Sequence, residues 1–229
     1  MSNRWRQFIK SIHPEGIPWP ASIFYNALSG TNIFLSHYEL VAADVAHFGK
    51  AARLLDIGTG PGHLLAAMRK VMPDTQLTGV DISAAMIAQA KRNMEKYEQD
   101  SHIELRVADA AALPFPDATF DRVVSTGSFH HWKNQLGALA EMYRVLKDDG
   151  CALIYDLVRD IPETVLQEVL AKYGGFRLLL LWLHSFEEPF LNAPEMEQLG
   201  RQTKFAGVET KFAGALCCLI LRKHSEVNK

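Results

Sequence analysis

"LLDIGTGPGHLL", residues 54–65, decides how the rest of the chain is read. Leu54 to Ile57 make a strand-length run that is apolar except for Asp56. Three glycines follow at alternate positions, Gly58, Gly60 and Gly62, and Leu64, Leu65 and Met68 then recur at helical spacing. Glycine permits positive φ and lets a backbone approach other atoms closely. A strand that ends in such a loop and opens a helix is the sequence form of a nucleotide-cofactor site. Tight packing alone also produces glycine loops, so the spacing matters. The dinucleotide fingerprint needs its third glycine at 63, where this chain has His63, and no lysine follows in the phosphate-loop pattern. A pyrophosphate-binding loop is disfavoured.

Outward from this loop the pattern alternates. Short apolar strands are predicted at 52–58, 76–82, 103–109, 120–126 and 150–157, with helices at 62–71, 83–96 and 134–147 between them. Strand and helix repeated in this way predict a parallel sheet with helices on both faces. Upstream, "SHYELVAADVAHFGK" predicts a helix with Ser36 and Glu39 as a capping box and Gly49 as its stop; His37, Val41, Val45 and Phe48 share one face. Downstream, Asp160 and Glu163 suggest another capping box with Pro162 early in the helix and Gly174-Gly175 at its end. A short helix follows near 194–202. The last stretch, "GVETKFAGALCCLILRK", reads as two strands joined at Ala213-Gly214, a hairpin.

Bulk properties narrow the partners. The 229 residues suit a single core, and the net charge is −2 with no basic block, which argues against non-specific nucleic-acid binding. Cys151, Cys217 and Cys218 lie in apolar runs and form no metal or disulfide pattern. The longest apolar run, 178–183, is far below the roughly 18 residues of a membrane span. The N-terminal stretch has no signal-peptide pattern, so a cytoplasmic location is expected.

Two further acids sit at strand ends. Asp81 lies 21 residues past Gly60, where a carboxylate accepts hydrogen bonds from a ribose diol. The competing reading is a cap on the helix that opens near Ser83. Asp109 ends the third strand and is placed to accept from an adenine amino group.

"LLDIGTGPGHL", "TGVDIS", "VADAAALPFPDATFDRVVSTGSFHHW" and "EMYRVLKDDGCALIYDL" resemble, in order and at the right intervals, the successive motifs of class I S-adenosylmethionine-dependent methyltransferases. The likeness covers about residues 50–157 and is nearest to the small-molecule branch that includes the ubiquinone/menaquinone-biosynthesis enzymes. It implies an α/β fold: a Rossmann-like, doubly wound, seven-stranded sheet, mostly parallel, with an antiparallel C-terminal hairpin. It implies S-adenosyl-L-methionine as cofactor and S-adenosyl-L-homocysteine as product. Asp56, Gly58, Thr59, Gly60 and Gly62 would hold the methionine end, Asp81 the ribose, Ile82 and Ala110 the adenine with Asp109, and Ser125 would lie under the cofactor. This ligand has an ammonium, a carboxylate, a diol and an amine but no phosphate, which agrees with acids at the strand ends.

Methyl transfer from a sulfonium is an in-line displacement, so the protein mainly positions the acceptor and excludes water. A base is needed only when the acceptor must lose a proton. His130 in "STGSFHHW" is the candidate for that role, with packing or cofactor-shell duty as its competitor, and Trp132 reads as packing. The acceptor is expected to be a small, partly apolar molecule lined by Tyr25, Phe129, His130 and Trp182; Tyr38 is a further residue expected near the cofactor. DNA is not an expected substrate, because the Asn/Asp-Pro-Pro-Tyr/Phe motif of amino-methylating DNA enzymes is absent after strand four. The expected organisation is an N-terminal helical cap over 1–50 and a catalytic domain over 51–229 with a lid-like insert around 176–203, as a monomer or homodimer. A non-catalytic cofactor-binding or scaffold relative is the alternative, and a nicotinamide oxidoreductase is opposed by His63.

Overall fold

The computed structural model describes residues 32–97, 103–173 and 190–224. Seven strands form one sheet: β1 (Arg53–Ile57), β2 (Gln76–Asp81), β3 (Ile103–Val107), β4 (Phe120–Thr126), β5 (Leu146–Asp156), β6 (Gly207–Ala213) and β7 (Leu216–Arg222). Their order across the sheet is β3-β2-β1-β4-β5-β7-β6. The first five are parallel, and β7 joins β5 and β6 antiparallel. The expected α/β class, the seven-stranded mixed sheet and the terminal hairpin are therefore all present. The hairpin turn is Gly214-Ala215, one residue later than predicted, because Ala213 still pairs with Leu216. The strand order reverses between β1 and β4, and open sheets of this kind hold ligands at that switch point, outside the carboxyl ends of the strands.

The helices are α1 (Asn32–His47), α2 (His63–Val71), α3 (Ala84–Lys96), α4 (Gln135–Val145), α5 (Glu163–Tyr173) and α6 (Ala193–Arg201). They divide the core into two apolar clusters, one on each sheet face. Val41, Ala42 and Val45 of α1 join Leu64, Leu65 and Met68 of α2 over Leu54, Leu77, Leu153 and Tyr155. Ala138, Leu139 and Met142 of α4 join Met196 of α6 over Leu55, Val123, Ile154 and Leu219. α3 lies against β2 and β3 and buries Met86, Ile87, Ala90 and Met94, which recur at helical spacing.

Several boundaries move. α1 begins at Asn32, so Ser36 and Glu39 sit inside the helix and form no capping box. Val41, Ala42 and Val45 on its packed face join the core cluster that contains Leu54 of β1 and Leu64 of α2. Gly49 does end the helix with φ +89°. β5 starts at Leu146, inside the predicted helix, because Leu146 pairs with Phe120 before a bulge resets the register to Arg122 opposite Cys151. The Asp160 carboxylate accepts from the Ala193 amide at 3.1 Å, at the start of α6, and so belongs to a different helix from the one predicted. α6 is capped instead by Asn192 and Glu195 in a reciprocal box. Within the insert expected around 176–203, Phe190 and Met196 are buried, and α6 packs on β6, β7 and α4. Residues 174–189, with Gly174-Gly175 and Trp182, and the N-terminal residues to 31, with Tyr25, lie outside the described residues.

Candidate functional site

The β1–α2 loop is built around three left-handed glycines: φ is +73° at Gly58, +52° at Gly60 and +81° at Gly62. Side-chain-bearing residues adopt this region at a cost, which accounts for the residue type. Close neighbours explain two of the three further. A Cβ on Gly58 would stand 2.2 Å from the Ser128 hydroxyl, and one on Gly62 would stand 3.0 Å from Met94 and 3.3 Å from Ala90 of α3. At these two positions the protein itself presses on the loop. The sequence had suggested a ligand.

Backbone bonds then lock the loop to β2. The amides of Gly58 and Thr59 donate to the Val80 carbonyl at 2.8 and 2.9 Å. The Asp81 carboxylate accepts from the Gly60 amide at 2.9 Å and from the Ser83 amide at 2.8 Å. Asp81 supports the turn into α3, where Ser83 and not Asp81 is the cap, and it lines the cleft. Burial raises its pKa, while the two amides pull it down.

Asp56 is the other unusual carboxylate. It is 1% exposed, and neither oxygen has a hydrogen-bond partner within normal distance among the described residues. Burial pushes its pKa up to about 7; the nearby Thr59 hydroxyl opposes this and the Asp81 charge adds to it. A buried carboxylate in this condition calls for a cationic or proton-donating partner.

The cleft opens at the carboxyl ends of β1 to β4, on both sides of the switch point. Gly58, Thr59, Gly60, Asp81, Ile82, Asp109 and Ala110 all line it, as the sequence suggested. The Asp109 carboxylate accepts from the Ala111 amide at 2.8 Å, which fixes one oxygen and leaves the group exposed at the cleft mouth. The lining contains the acids Asp81 and Asp109 and, among the described residues, no lysine or arginine. Asp56 and Gly62 sit behind this wall.

The β4 side departs from expectation. Ser125 is fully buried, and its hydroxyl pairs with that of Ser128 at 2.9 Å, while Thr126, Gly127 and Ser128 form the wall. Phe129 is 1% exposed and packs edge-on against Trp132 at 5.2 Å, so it belongs to the core and does not line the cleft. His130 is also buried. Its backbone amide donates to Asp156, and its Nδ1 meets both Asp156 oxygens at 2.9 Å. The residue that lines the cleft is His131, whose ring lies 3.9 Å from that of His130. A single 3₁₀ turn, Phe129–His131, separates these fates: it turns Phe129 and His130 inward and His131 toward the opening. Trp132 does both jobs, packing and lining. Tyr38 of α1 lines the cleft as anticipated, and Met86 and Ser128 line it unanticipated.

The sheet order, with an acid-lined cleft floored by a glycine loop at its switch point, gives this chain a fold shared with S-adenosyl-L-methionine-dependent methyltransferases of known structure. Residues 55–154 match the family described as methyltransferase domain, from β1 through most of β5. An O-methyltransferase of Penicillium expansum, cnsE, is 31% identical over 156 residues, covering 68% of this chain and 52% of its own length. The demethylmenaquinone methyltransferase of Thermus thermophilus is 34% identical over 115 residues, 50% of this chain and 51% of its own. The chain spans about half the length of these curated relatives. A crystal structure of a Methanococcus maripaludis S-adenosyl-L-methionine-dependent methyltransferase has the same fold, with a TM-score of 0.72 at 20% identity over 95% of this chain and 98% of the other. No helix among the described residues is long and apolar enough to cross a membrane.

Proposed function

We propose that this protein transfers a methyl group from S-adenosyl-L-methionine to a small, partly apolar molecule. The observation that carries the reading is the charge pattern: Asp81 and Asp109 line the cleft, the Asp56 carboxylate lies buried behind it, and the described lining holds no lysine or arginine. That pattern suits a phosphate-free cofactor with an ammonium and a diol better than a dinucleotide. Asp56 would receive the ammonium of the methionine end, completing its empty hydrogen-bonding capacity. Asp81 would hold the ribose diol, Asp109 the adenine amino group, and Ile82 and Ala110 would flank the base. When bound, the cofactor supplies an already activated methyl group.

The chain's own contribution is then positioning and exclusion of water. Thr126, Gly127, His131 and Trp132 form the wall left for the acceptor. For an acceptor that must lose a proton, His131 takes the role the sequence had suggested for His130. His130, clamped by Asp156, backs His131 and limits its movement. Relatives with names that specify demethylmenaquinone and O-methylation support a small acceptor without choosing one.

Calorimetric titration with S-adenosylhomocysteine, beside NAD as control, tests the cofactor reading. Micromolar binding of the first alone is expected. Preference for NAD would overturn it. Tight S-adenosylhomocysteine binding, with no methyl transfer to any quinone, phenol or carboxylic acid in a broad panel, would favour the non-catalytic relative.

A further inference from the structure

At the other end of the sheet, away from the cleft, a second groove opens beside the C-terminal turn of α1. Its floor holds Arg122 of β4, which is 6% exposed. The guanidinium donates to two carbonyls at the end of α1, Val45 at 3.0 Å and Phe48 at 2.8 Å. Neither bond reaches a carboxylate, and Nε has no hydrogen-bond partner among the described residues. Buried charges are ordinarily paired, and helix-end carbonyls supply only partial negative charge.

Further cations gather at the same place. The Phe48 ring has the Arg122 guanidinium at 5.6 Å, the Lys211 ammonium at 4.6 Å and the Arg222 guanidinium at 6.0 Å. Lys211 also bonds Asp44 at 2.7 Å, and Arg222 pairs with Glu209, so their charges are partly answered. Arg122 meets the two helix-end carbonyls and the Phe48 ring, with no carboxylate on it among the described residues. His47 and His224 add imidazoles to the lining. Asp148 and Asp149 also line the groove; both are exposed, and Asp148 lies 3.7 Å from Lys223.

The geometry points to this groove as a binding site for a small phosphate-class oxyanion, with Arg122 as its buried anchor and Arg222 and Lys211 as flanking charges. Guanidinium groups match the oxygen spacing of such anions and bind them in several directions at once. The assignment is independent of the methyl-transfer reading, since it shares no residue with the cleft.

The test titrates inorganic phosphate into the full-length protein at constant ionic strength, followed by calorimetry. Saturable one-to-one binding is expected. Lys211→Gln and Arg222→Gln should each weaken it at least fivefold, with circular dichroism and S-adenosylhomocysteine binding unchanged. Arg122→Met removes the anchor but also the tie on α1, so the two flanking variants carry the test if it does not fold. Phosphate should still bind when S-adenosylhomocysteine is present. Heat that never saturates, saturation that neither substitution weakens, or displacement of phosphate by S-adenosylhomocysteine would each overturn the assignment.

Discussion

Asp56 concentrates the electrostatics of the site in one side chain. Burial pushes its pKa up to about 7, well above the ordinary aspartate range. The folded chain therefore holds its proton more tightly than the unfolded chain, and this group's contribution to stability falls as pH rises from about 4 through 7. Ligand binding runs the other way, because an ammonium requires the ionised form. S-adenosylhomocysteine should bind about tenfold more weakly at pH 6 than at pH 8, with proton release near pH 6. Calorimetry in buffers of different ionisation enthalpy measures both, and Asp56→Asn should flatten the profile. Asp81 has two duties, so Asp81→Ala loses the diol contact and frees the Gly60 and Ser83 amides. A loss of about 1–3 kcal/mol in cofactor binding is expected; a change below twofold in the dissociation constant would remove Asp81 from the site. These acids were legible because each lies in the last two residues of its strand. The choice between His130 and His131 was not. Adjacent residues in a one-turn 3₁₀ segment have no periodicity from which to read a direction, and Asp156, which holds His130, is 26 residues away.

Among the elements, loops and helix ends carry the sharpest constraints. Gly58→Ala would meet the Ser128 hydroxyl and force a side chain into left-handed backbone. It should cost at least about 1–2 kcal/mol in urea unfolding. Adding Ser128→Gly should recover the steric part and leave the conformational part. Asn192→Ala removes the cap of α6 and should cost about 1 kcal/mol by the same measurement. Strands and helices of the βα units were readable because apolar period and turn residues agree there. Capping boxes were not: Ser36-x-x-Glu39 and Asp160-x-x-Glu163 have the right spacing, yet the first lies within a longer helix and the second is diverted to α6. Spacing records what a cap needs locally, whereas the competing partner comes from elsewhere in the chain. The early start of β5 has the same origin, since Phe120 across the sheet draws Leu146 out of the helix.

Across the whole molecule, α1 is joined to the sheet by a polar contact beneath the apolar one. The Tyr155 hydroxyl donates to Asp44 at 2.7 Å, and Lys211 holds the other oxygen of the same carboxylate. Burial and the neighbouring acid raise the Tyr155 pKa, so the phenol stays protonated and donating at all ordinary pH. Tyr155→Phe should lower unfolding free energy by about 1–3 kcal/mol. The sheet order has a different kind of consequence. β5 gains its second neighbour only from β7, and β6, made earlier, reaches the sheet only through β7. A nascent chain emerging from the ribosome therefore carries the bare flank of β5 until residues 216–222 have appeared. Its apolar side chains and unpaired amides face other nascent chains throughout that interval, a window in which chaperones would find their substrate.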